Sequence, residues 1–310
     1  MNEKKPLLEI SDLSVSFLMY DGSLERSSLQ VISNLSLTVH PGEILAVAGS
    51  SGSGKSLLAS AILGILPGNA SVEGAMRYGG EPLTPERQKV LRGGEIALVP
   101  QSVAYLDPLM KVGRQADGHK KPRPTAERRA LFRRFGLPEE TEGLYPFQLS
   151  GGMARRVLVS TALLSNARLV IADEPTPGMS LDQAKEALRM FRDLADEGRS
   201  VILITHDIDL AFDFADRVAV FYAGTTVETA PAADFRRGPE ALRHPYSRAL
   251  WSALPQNGFT PIDGFQPYTG SLPAGCLFAP RCPLRTAACE AGTPPMRDIR
   301  GGEVRCIHAT

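Results

Sequence analysis

The sequence predicts an α/β fold built on a mainly parallel β-sheet with helices on both faces. Buried apolar segments and helical segments alternate between residues 169 and 222, as expected when helices connect parallel strands. A glycine-rich run, GSSGSGKS at residues 49–56, lies between an apolar strand and an apolar helix. The chain has 310 residues, enough for one large domain and a smaller appendage.

The first third of the chain predicts edge strands that lead into a buried strand and a helix. Two segments alternate apolar and polar residues, which is typical of half-buried strands, and turn-forming pairs follow each of them. The predicted elements are strands at 7–17, 29–39 and 43–48, a helix at 57–66, and turns at Asp21-Gly22 and Pro41-Gly42.

The rest of the chain predicts an inserted helical part, a second set of strands and helices, and a tail. Pro, Gly and charged residues are frequent between the predicted strand at 95–100 and Ser150, which indicates a helical subdomain at about 102–165. We expect a main domain at 1–255 and a Cys-rich extension at 256–310. The other predicted elements are helices at 125–135, 151–164, 181–197 and 208–215 and strands at 169–172, 201–205 and 218–222.

The glycine-rich run has the spacing of a phosphate-binding loop, G-x-x-x-x-G-K-[ST]. Backbone N–H groups and the positive end of the following helix suit an anionic phosphate, whereas an ordinary Gly/Ser loop would not require this strand–loop–helix context. Lys55 is expected to reach the β- and γ-phosphates, and Ser56 to bind Mg²⁺. The candidate residues of the loop are Gly49, Ser50, Ser51, Gly52, Ser53, Gly54, Lys55 and Ser56.

Two carboxylates end the predicted strand at 169–172. Asp173 and Glu174 follow apolar residues directly, and a carboxylate in that position is costly unless it meets a cation. Asp173 is placed to hold Mg²⁺, and Glu174 to polarise the water that attacks the γ-phosphate. An acidic pair in solvent is the alternative interpretation, and the phosphate-binding loop counts against it.

A second glycine motif, Leu149-Ser150-Gly151-Gly152, opens the helix predicted at 151–164. Alone it is a helix cap, but it also makes a second anion-binding helix end. One chain does not need two such ends for one nucleotide, whereas two chains packed head to tail would use both.

In this combination the chain resembles the nucleotide-binding subunits of ABC transporters over about residues 7–255. The motifs that carry the resemblance, in order, are the Walker A motif at 49–56, the Q-loop at Gln101, the signature motif at 149–152, the end of Walker B at Asp173 and Glu174, and the switch histidine at His206. The resemblance implies a P-loop ABC ATPase domain with an antiparallel β-subdomain, and it implies ATP and Mg²⁺ as ligands.

The resemblance also implies residue roles. Glu174 is the general base, His206 contacts the γ-phosphate, and Gln101 takes part at the Mg²⁺ site and links it to the membrane subunits. Ser150, Gly151 and Gly152 act on the nucleotide of the partner chain. Adenine stacks on the aromatic residue at position 17, Phe17, although Tyr20 is an alternative and Phe17 also suits the core. The usual signature glutamine is Met153 here, and Ser180 replaces the usual D-loop aspartate.

The segment from His244 to Pro255, HPYSRALWSALP, and the cysteine tail resemble peptide and nickel importers within this family. The resemblance implies two membrane permease subunits, a second and non-identical ATPase subunit, an external substrate-binding protein, and a peripheral location on the cytoplasmic face of the cell membrane. We expect import of peptides or of nickel and metal chelates. The alternatives are an exporter subunit or a soluble ABC ATPase acting on ribosomes or DNA.

The four cysteines of the chain all lie in the tail, at Cys276, Cys282, Cys289 and Cys306. Such clustering favours a metal site over disulfides, and the spacing is not the C-x-x-C of zinc ribbons. Since relatives with this tail can carry an iron–sulfur cluster, a [4Fe–4S] cluster is expected; Zn²⁺ or four free thiols are the alternatives.

Charge gives no indication of a nucleic-acid partner. The chain has 34 basic and 34 acidic residues, and the formal net charge is zero. The basic run from His119 to Phe135 could bind nucleic acid or anionic lipid, but a solvated helix face is the favoured interpretation. The sequence also contains no apolar stretch long enough to span a bilayer and no charged-then-apolar leader.

Overall fold

The computed structural model describes residues 5–20, 26–117 and 125–310. Its strands are β1 (Leu8–Tyr20), β2 (Arg26–Val39), β3 (Ile44–Gly49), β4 (Ala70–Tyr78), β5 (Glu81–Pro82), β6 (Ile96–Val99), β7 (Leu169–Asp173), β8 (Ser200–Ile204), β9 (Arg217–Tyr222), β10 (Thr225–Pro231), β11 (Arg297–Ile299) and β12 (Gly302–Val304). Its α-helices are α1 (Lys55–Leu63), α2 (Pro85–Leu91), α3 (Val112–Asp117), α4 (Thr125–Arg134), α5 (Gly151–Leu163), α6 (Leu181–Asp196), α7 (Ile208–Phe214), α8 (Ala232–Arg237) and α9 (Pro245–Ser252). The turn predicted at Asp21-Gly22 and the basic residues from His119 to Arg123 lie outside the described residues.

The main sheet has a parallel centre, which confirms the predicted fold class. Its strand order is β11-β12-β10-β9-β3-β8-β7-β6, and the five strands from β9 to β6 are parallel. Alternate residues of β3 enter two different hydrophobic clusters, with Ile44 and Ala46 in one and Leu45 and Val47 in the other. The sheet is therefore covered on both faces, and this explains why its central strands read as continuous apolar runs.

A second, antiparallel sheet has the order β2-β1-β4-β5. The alternating pattern predicted β1 and β2, whereas β4 was not predicted. Most residues of β4 are exposed, and Gly74 within it has a φ of 94°. A strand that buries so little apolar surface carries no period-two pattern in its sequence.

The helix after the phosphate-binding loop is shifted from its predicted bounds. It begins at Lys55 rather than at 57, and it ends at Leu63 because Gly64 adopts a left-handed conformation with a φ of 63°. Glycine at this position is a common helix stop. The earlier start places the N-terminus of the helix inside the glycine-rich run, directly after Gly54.

The C-terminal tail adds strands to the main sheet. β12 pairs with β10, and β11 pairs with β12. The buried guanidinium of Arg243 holds this junction, since it bonds Glu228 at 3.3 Å and Asp234 at 2.9 Å and donates to the carbonyl oxygen of Ile299. Three-residue strands have no detectable periodicity, so the sequence did not predict β11 or β12.

The arginines of α4 form ion pairs with acidic side chains. Arg128 contacts Asp117 and Glu142, and Arg134 lies 2.9 Å from Glu186. These pairs neutralise the described part of the basic run and are consistent with a solvated helix face.

Candidate functional site

The phosphate-binding loop connects β3 to α1 and is shaped by its glycines. At Gly49 a Cβ atom would lie 2.4 Å from the carbonyl oxygen of Phe221, so no larger residue fits there. Gly54 caps α1 in a left-handed conformation with a φ of 94° and without a side-chain bond to the helix end. The N–H groups at the start of α1 thus remain uncapped by a side chain, as an anion-binding helix end requires.

Lys55 is buried at the base of this loop. Its Nζ donates to the carbonyl oxygens of Gly49 and Ser50, at 2.9 Å each. Burial lowers the pKa of the ammonium group, and the nearby Glu174 and Asp173 oppose this shift. The cation is held within the loop at a place where phosphate oxygens could accept its hydrogen bonds.

Ser56 and Asp173 come together although they are 117 residues apart. The Ser56 hydroxyl donates to Oδ1 of Asp173 over 3.1 Å. Burial raises the pKa of Asp173 above its ordinary value, and the Ser56 hydrogen bond offsets only part of this increase. A hydroxyl and a carboxylate oxygen are the ligand types that Mg²⁺ accepts beside phosphates, so this pair could hold the ion.

Glu174 and His206 form a second pair at the same edge of the sheet. Oε2 of Glu174 lies 2.7 Å from Nδ1 of His206, and the Glu174 N–H donates to the carbonyl oxygen of Ile204. Glu174 is buried and has a φ of 49°, a left-handed conformation that is strained for a residue with a Cβ. The carboxyl ends of β7 and β8 therefore bring the predicted base and the switch histidine into contact.

Gln101 follows β6 with an exposed side chain. Its backbone is held by Arg155 of α5, whose guanidinium donates to the carbonyl oxygens of Pro100 and Gln101. Burial lowers the pKa of Arg155, while Asp173 and Glu174 raise it. Arg155 was not among the predicted site residues; in the sequence it is one of two adjacent arginines, Arg155 and Arg156, directly before the apolar run 157–159 of α5.

The signature residues cap α5 on the helical part of the chain. The Ser150 hydroxyl accepts from the Met153 N–H, and a Cβ on Gly152 would lie 3.0 Å from the carbonyl oxygen of Gly178. Ser180 likewise caps α6 by accepting from the Gln183 N–H. Within the described ranges no hydrogen bond joins residues 150–152 to the loop at 49–56, so the chain does not combine its two glycine motifs by itself.

The two aromatic candidates for adenine stacking differ in exposure. Phe17 is half-buried and packs against one hydrophobic cluster, whereas Tyr20 is exposed and has the Arg26 guanidinium 5.7 Å from its ring centre. Both readings of Phe17 are compatible with this position, and adenine stacking stays a prediction.

The four cysteines line one small cavity of the C-terminal tail, together with His244 and His308. Burial raises the pKa of the Cys276, Cys282 and Cys306 thiols. Sγ of Cys289 lies 3.4 Å from Nε2 of His308. However, in the part of the chain that the structure describes, no group of three or more His, Cys, Asp or Glu side chains is arranged to hold a metal ion.

Two family models match the chain. One, described as ABC transporter, matches residues 32–177, and the other, described as oligopeptide/dipeptide transporter, C-terminal region, matches residues 227–289. A Brucella abortus protein named for peptide import and ATP binding is 36% identical over 97% of this chain and 94% of its own length. The chain belongs to the ATP-binding subunits of ABC transporters. Within them it falls in the oligopeptide/dipeptide family.

Other comparisons agree with this family. DppD of Bacillus subtilis, a dipeptide transport ATP-binding protein, is 34% identical over 93% of this chain and 90% of its own length. A dimeric, post-hydrolysis structure of an ATP-binding cassette with ADP and Pi has a TM-score of 0.64 at 21% identity, and covers 73% of this chain and 98% of that one. The latter likeness supports the fold.

This ABC protein is an ATPase, and ATP and Mg²⁺ are the ligands of its family. None of the helices formed by the described residues is both long and apolar enough to cross a membrane. Membrane permeases are the partners that this family implies.

Proposed function

We propose that this ABC ATPase drives the import of peptides through a membrane permease. The observation that supports this cargo is the match of residues 227–289 to the oligopeptide/dipeptide C-terminal region. The start of that region lies in β10, which pairs with β9 in the main sheet, so the region is continuous with the ATPase fold. The relatives named for peptide import match the chain over its tail as well as its core.

ATP hydrolysis is assigned to the residues at the carboxyl edge of the parallel strands. Ser56 and Asp173 would hold Mg²⁺, and the bound ion would neutralise charge on the phosphate oxygens. Gln101 would take part at the same Mg²⁺ site, as the family resemblance implies. Lys55 orients the β- and γ-phosphates with its ammonium group. Glu174 takes the proton of the attacking water, and His206 orients Glu174 through their 2.7 Å contact.

A second ATPase subunit completes the site in this proposal. Residues 150–152 make no hydrogen bond to the phosphate-binding loop of the same chain within the described ranges, and they open a helix whose N-terminus suits an anion. Two subunits packed head to tail would place each signature motif on the nucleotide of the other. We propose a related, non-identical chain as this partner and an external binding protein as the source of the peptide.

The permease is proposed to dock in a groove beside the Q-loop, on the cytoplasmic face of the membrane. The groove has a volume of about 530 Å³ and is lined by Pro100, Tyr105, Met110 and Arg114, among others. Tyr105 is 69% exposed although it is aromatic, which is typical of a contact surface. Pro100 directly precedes Gln101, so a segment in this groove would lie next to the loop that Arg155 holds.

The proposed function predicts that cellular uptake of a labelled dipeptide depends on both the site and the groove. Lys55→Ala should abolish dipeptide uptake because ATP no longer binds productively. Tyr105→Ala should lower uptake several-fold while the ATPase rate of the purified chain is unchanged, since Tyr105 belongs to none of the motifs assigned to the nucleotide. Labelled dipeptide and labelled nickel are to be measured in cells carrying each variant.

The matched control is Val72→Ala, which removes an exposed apolar side chain from β4 on the other sheet and should leave uptake unchanged. If Lys55→Ala lowered nickel uptake and left dipeptide uptake unchanged, the cargo would be the metal or its chelate and not a peptide. Accumulation of substrate outside the cells would indicate export and contradict the proposal.

We further propose that the cysteine cavity holds a [4Fe–4S] cluster. The support is that all four thiols line one cavity and that four thiolates are the usual ligand set. The side chains are not arranged around a metal ion in the structure, so ligand formation requires some movement of Cys276, Cys282, Cys289 or Cys306. To hold a cluster, thiols whose pKa burial has raised would have to release their protons to solvent.

Anaerobic purification tests this proposal. The expected product is brown, with about four irons per chain, and Cys282→Ser should lose both colour and iron. If the purified protein instead contained about one zinc ion per chain, the cavity would be a zinc site and not a cluster site. A colourless product that lacks both metals would refute a metal site in this cavity.

A further inference from the structure

The phosphate-binding loop touches the C-terminal tail at Ser50. The Ser50 hydroxyl donates to Oε1 of Gln266 over 2.5 Å, although 216 residues separate the two. Ser50 also interacts with the Tyr246 hydroxyl of α9 through its side chain and its backbone. Neither Tyr246 nor Gln266 belongs to the motifs of the ATPase domain. Gln266 lies in the tail, so the tail contacts the nucleotide site directly.

Gln266 is carried by a segment that is fixed at both ends. We call residues 258–272 the strap. Arg281 donates to the carbonyl oxygens of Ile262 and Asp263, at 3.1 and 2.7 Å. Ile262 and Leu272 pack against the main hydrophobic cluster on either side of Gln266. The strap therefore presents Gln266 to the loop from an anchored backbone, and little entropy remains to be lost when the contact forms.

A second set of contacts connects Arg281 to Ser50. The Arg281 guanidinium donates to the Tyr222 hydroxyl over 3.3 Å, and the Tyr222 and Tyr246 rings lie 4.5 Å apart. Tyr222 and Tyr246 are both buried. Ser50 is thus contacted from two sides by residues that Arg281 supports.

Ser50 matters because its carbonyl oxygen accepts from Lys55. A group that fixes Ser50 also fixes one of the two carbonyl oxygens that position the ammonium group. We propose that Gln266 is a positioning residue of the phosphate-binding loop, through which the C-terminal tail sets the affinity for ATP. Gln266 acts through Ser50 and does not touch the reacting atoms. This proposal rests on the assignment of residues 49–56 as the ATP site.

The test is a double-mutant cycle between Ser50 and Gln266, with the affinity for ATP measured by calorimetry. Gln266→Ala should weaken ATP binding by about two- to tenfold, the effect of losing one hydrogen bond. In steady-state assays KM should rise by the same factor, while kcat at saturating ATP stays within about twofold, because Glu174 and His206 are untouched. Gln266→Ala in a Ser50→Ala background should have no further effect.

Gln256→Ala is the matched control, since Gln256 is exposed and lies just before the strap. This variant should bind ATP as the wild type does. Unchanged or tighter ATP binding by Gln266→Ala, or additive effects in the cycle, would overturn the proposal. If Lys55→Ala also bound ATP normally, the assignment of the loop itself would fail, and this result separates the two failures.

Discussion

Lys55→Ala is expected to reduce ATP hydrolysis to background and to weaken ATP binding by about 10- to 150-fold. The factor corresponds to one charge-assisted hydrogen-bonding group, about 1.5–3 kcal/mol. Lys55 is the cation that the phosphate-binding loop itself supplies, and its Nζ already lies within the loop at 2.9 Å from two backbone carbonyl oxygens. Calorimetric titration with ATP and a phosphate-release assay measure the two effects.

The fold should survive this substitution. Burial lowers the pKa of Lys55, so the fold disfavours the charged form of this side chain. Removing the charge should therefore offset part of the stability that is lost with the Lys55 hydrogen bonds. Lys89→Ala is the matched control, because Lys89 is an exposed lysine of α2. An unchanged melting temperature with lost ATP binding supports the assignment. Hydrolysis at the wild-type rate in Lys55→Ala would refute it.

The parts of the site that could be predicted are those that a short stretch of sequence encodes completely. The strand, the loop and the helix around Gly49–Ser56 are contiguous, and glycine at position 49 is demanded by the 2.4 Å approach to Phe221. Asp173 ends β7 and His206 follows β8, and the carboxyl ends of these parallel strands lie at the same edge of the sheet. The structure brings Ser56 to Asp173 and Glu174 to His206, so topology accounts for these pairs.

The contacts that could not be predicted join segments without periodic sequence. The strap contains Pro and Gly and forms no long helix or strand, so nothing in its sequence indicates that Gln266 meets Ser50. Arg155 was missed for a related reason. Its helix was predicted, but its target is the backbone of the Q-loop, and a backbone carbonyl leaves no signal in the sequence.

Glu174→Gln is expected to lower ATP hydrolysis by about 10²- to 10⁴-fold while ATP binding is kept, because an amide cannot take a proton from water. The amide has nearly the same size and can still hydrogen-bond to His206, which lies 2.7 Å away in the wild type. Gln and Glu are also similarly strained at a φ of 49°, so the backbone should not change. The measurement is a single-turnover assay at saturating ATP.

The same variant should accumulate an ATP-bound dimer, because closure depends on binding and reopening depends on hydrolysis. Light scattering with ATP and Mg²⁺ should detect a mass increase for Glu174→Gln when the chain is mixed with its partner ATPase, and the increase should disappear with ADP. Glu197→Gln, at an exposed position after α6, is the control that should hydrolyse ATP normally. Wild-type turnover by Glu174→Gln would exclude Glu174 as the base. If Glu174→Gln hydrolysed ATP slowly but never dimerised, the assignment of Glu174 as the base would stand. The head-to-tail arrangement of the two glycine motifs would then be contradicted.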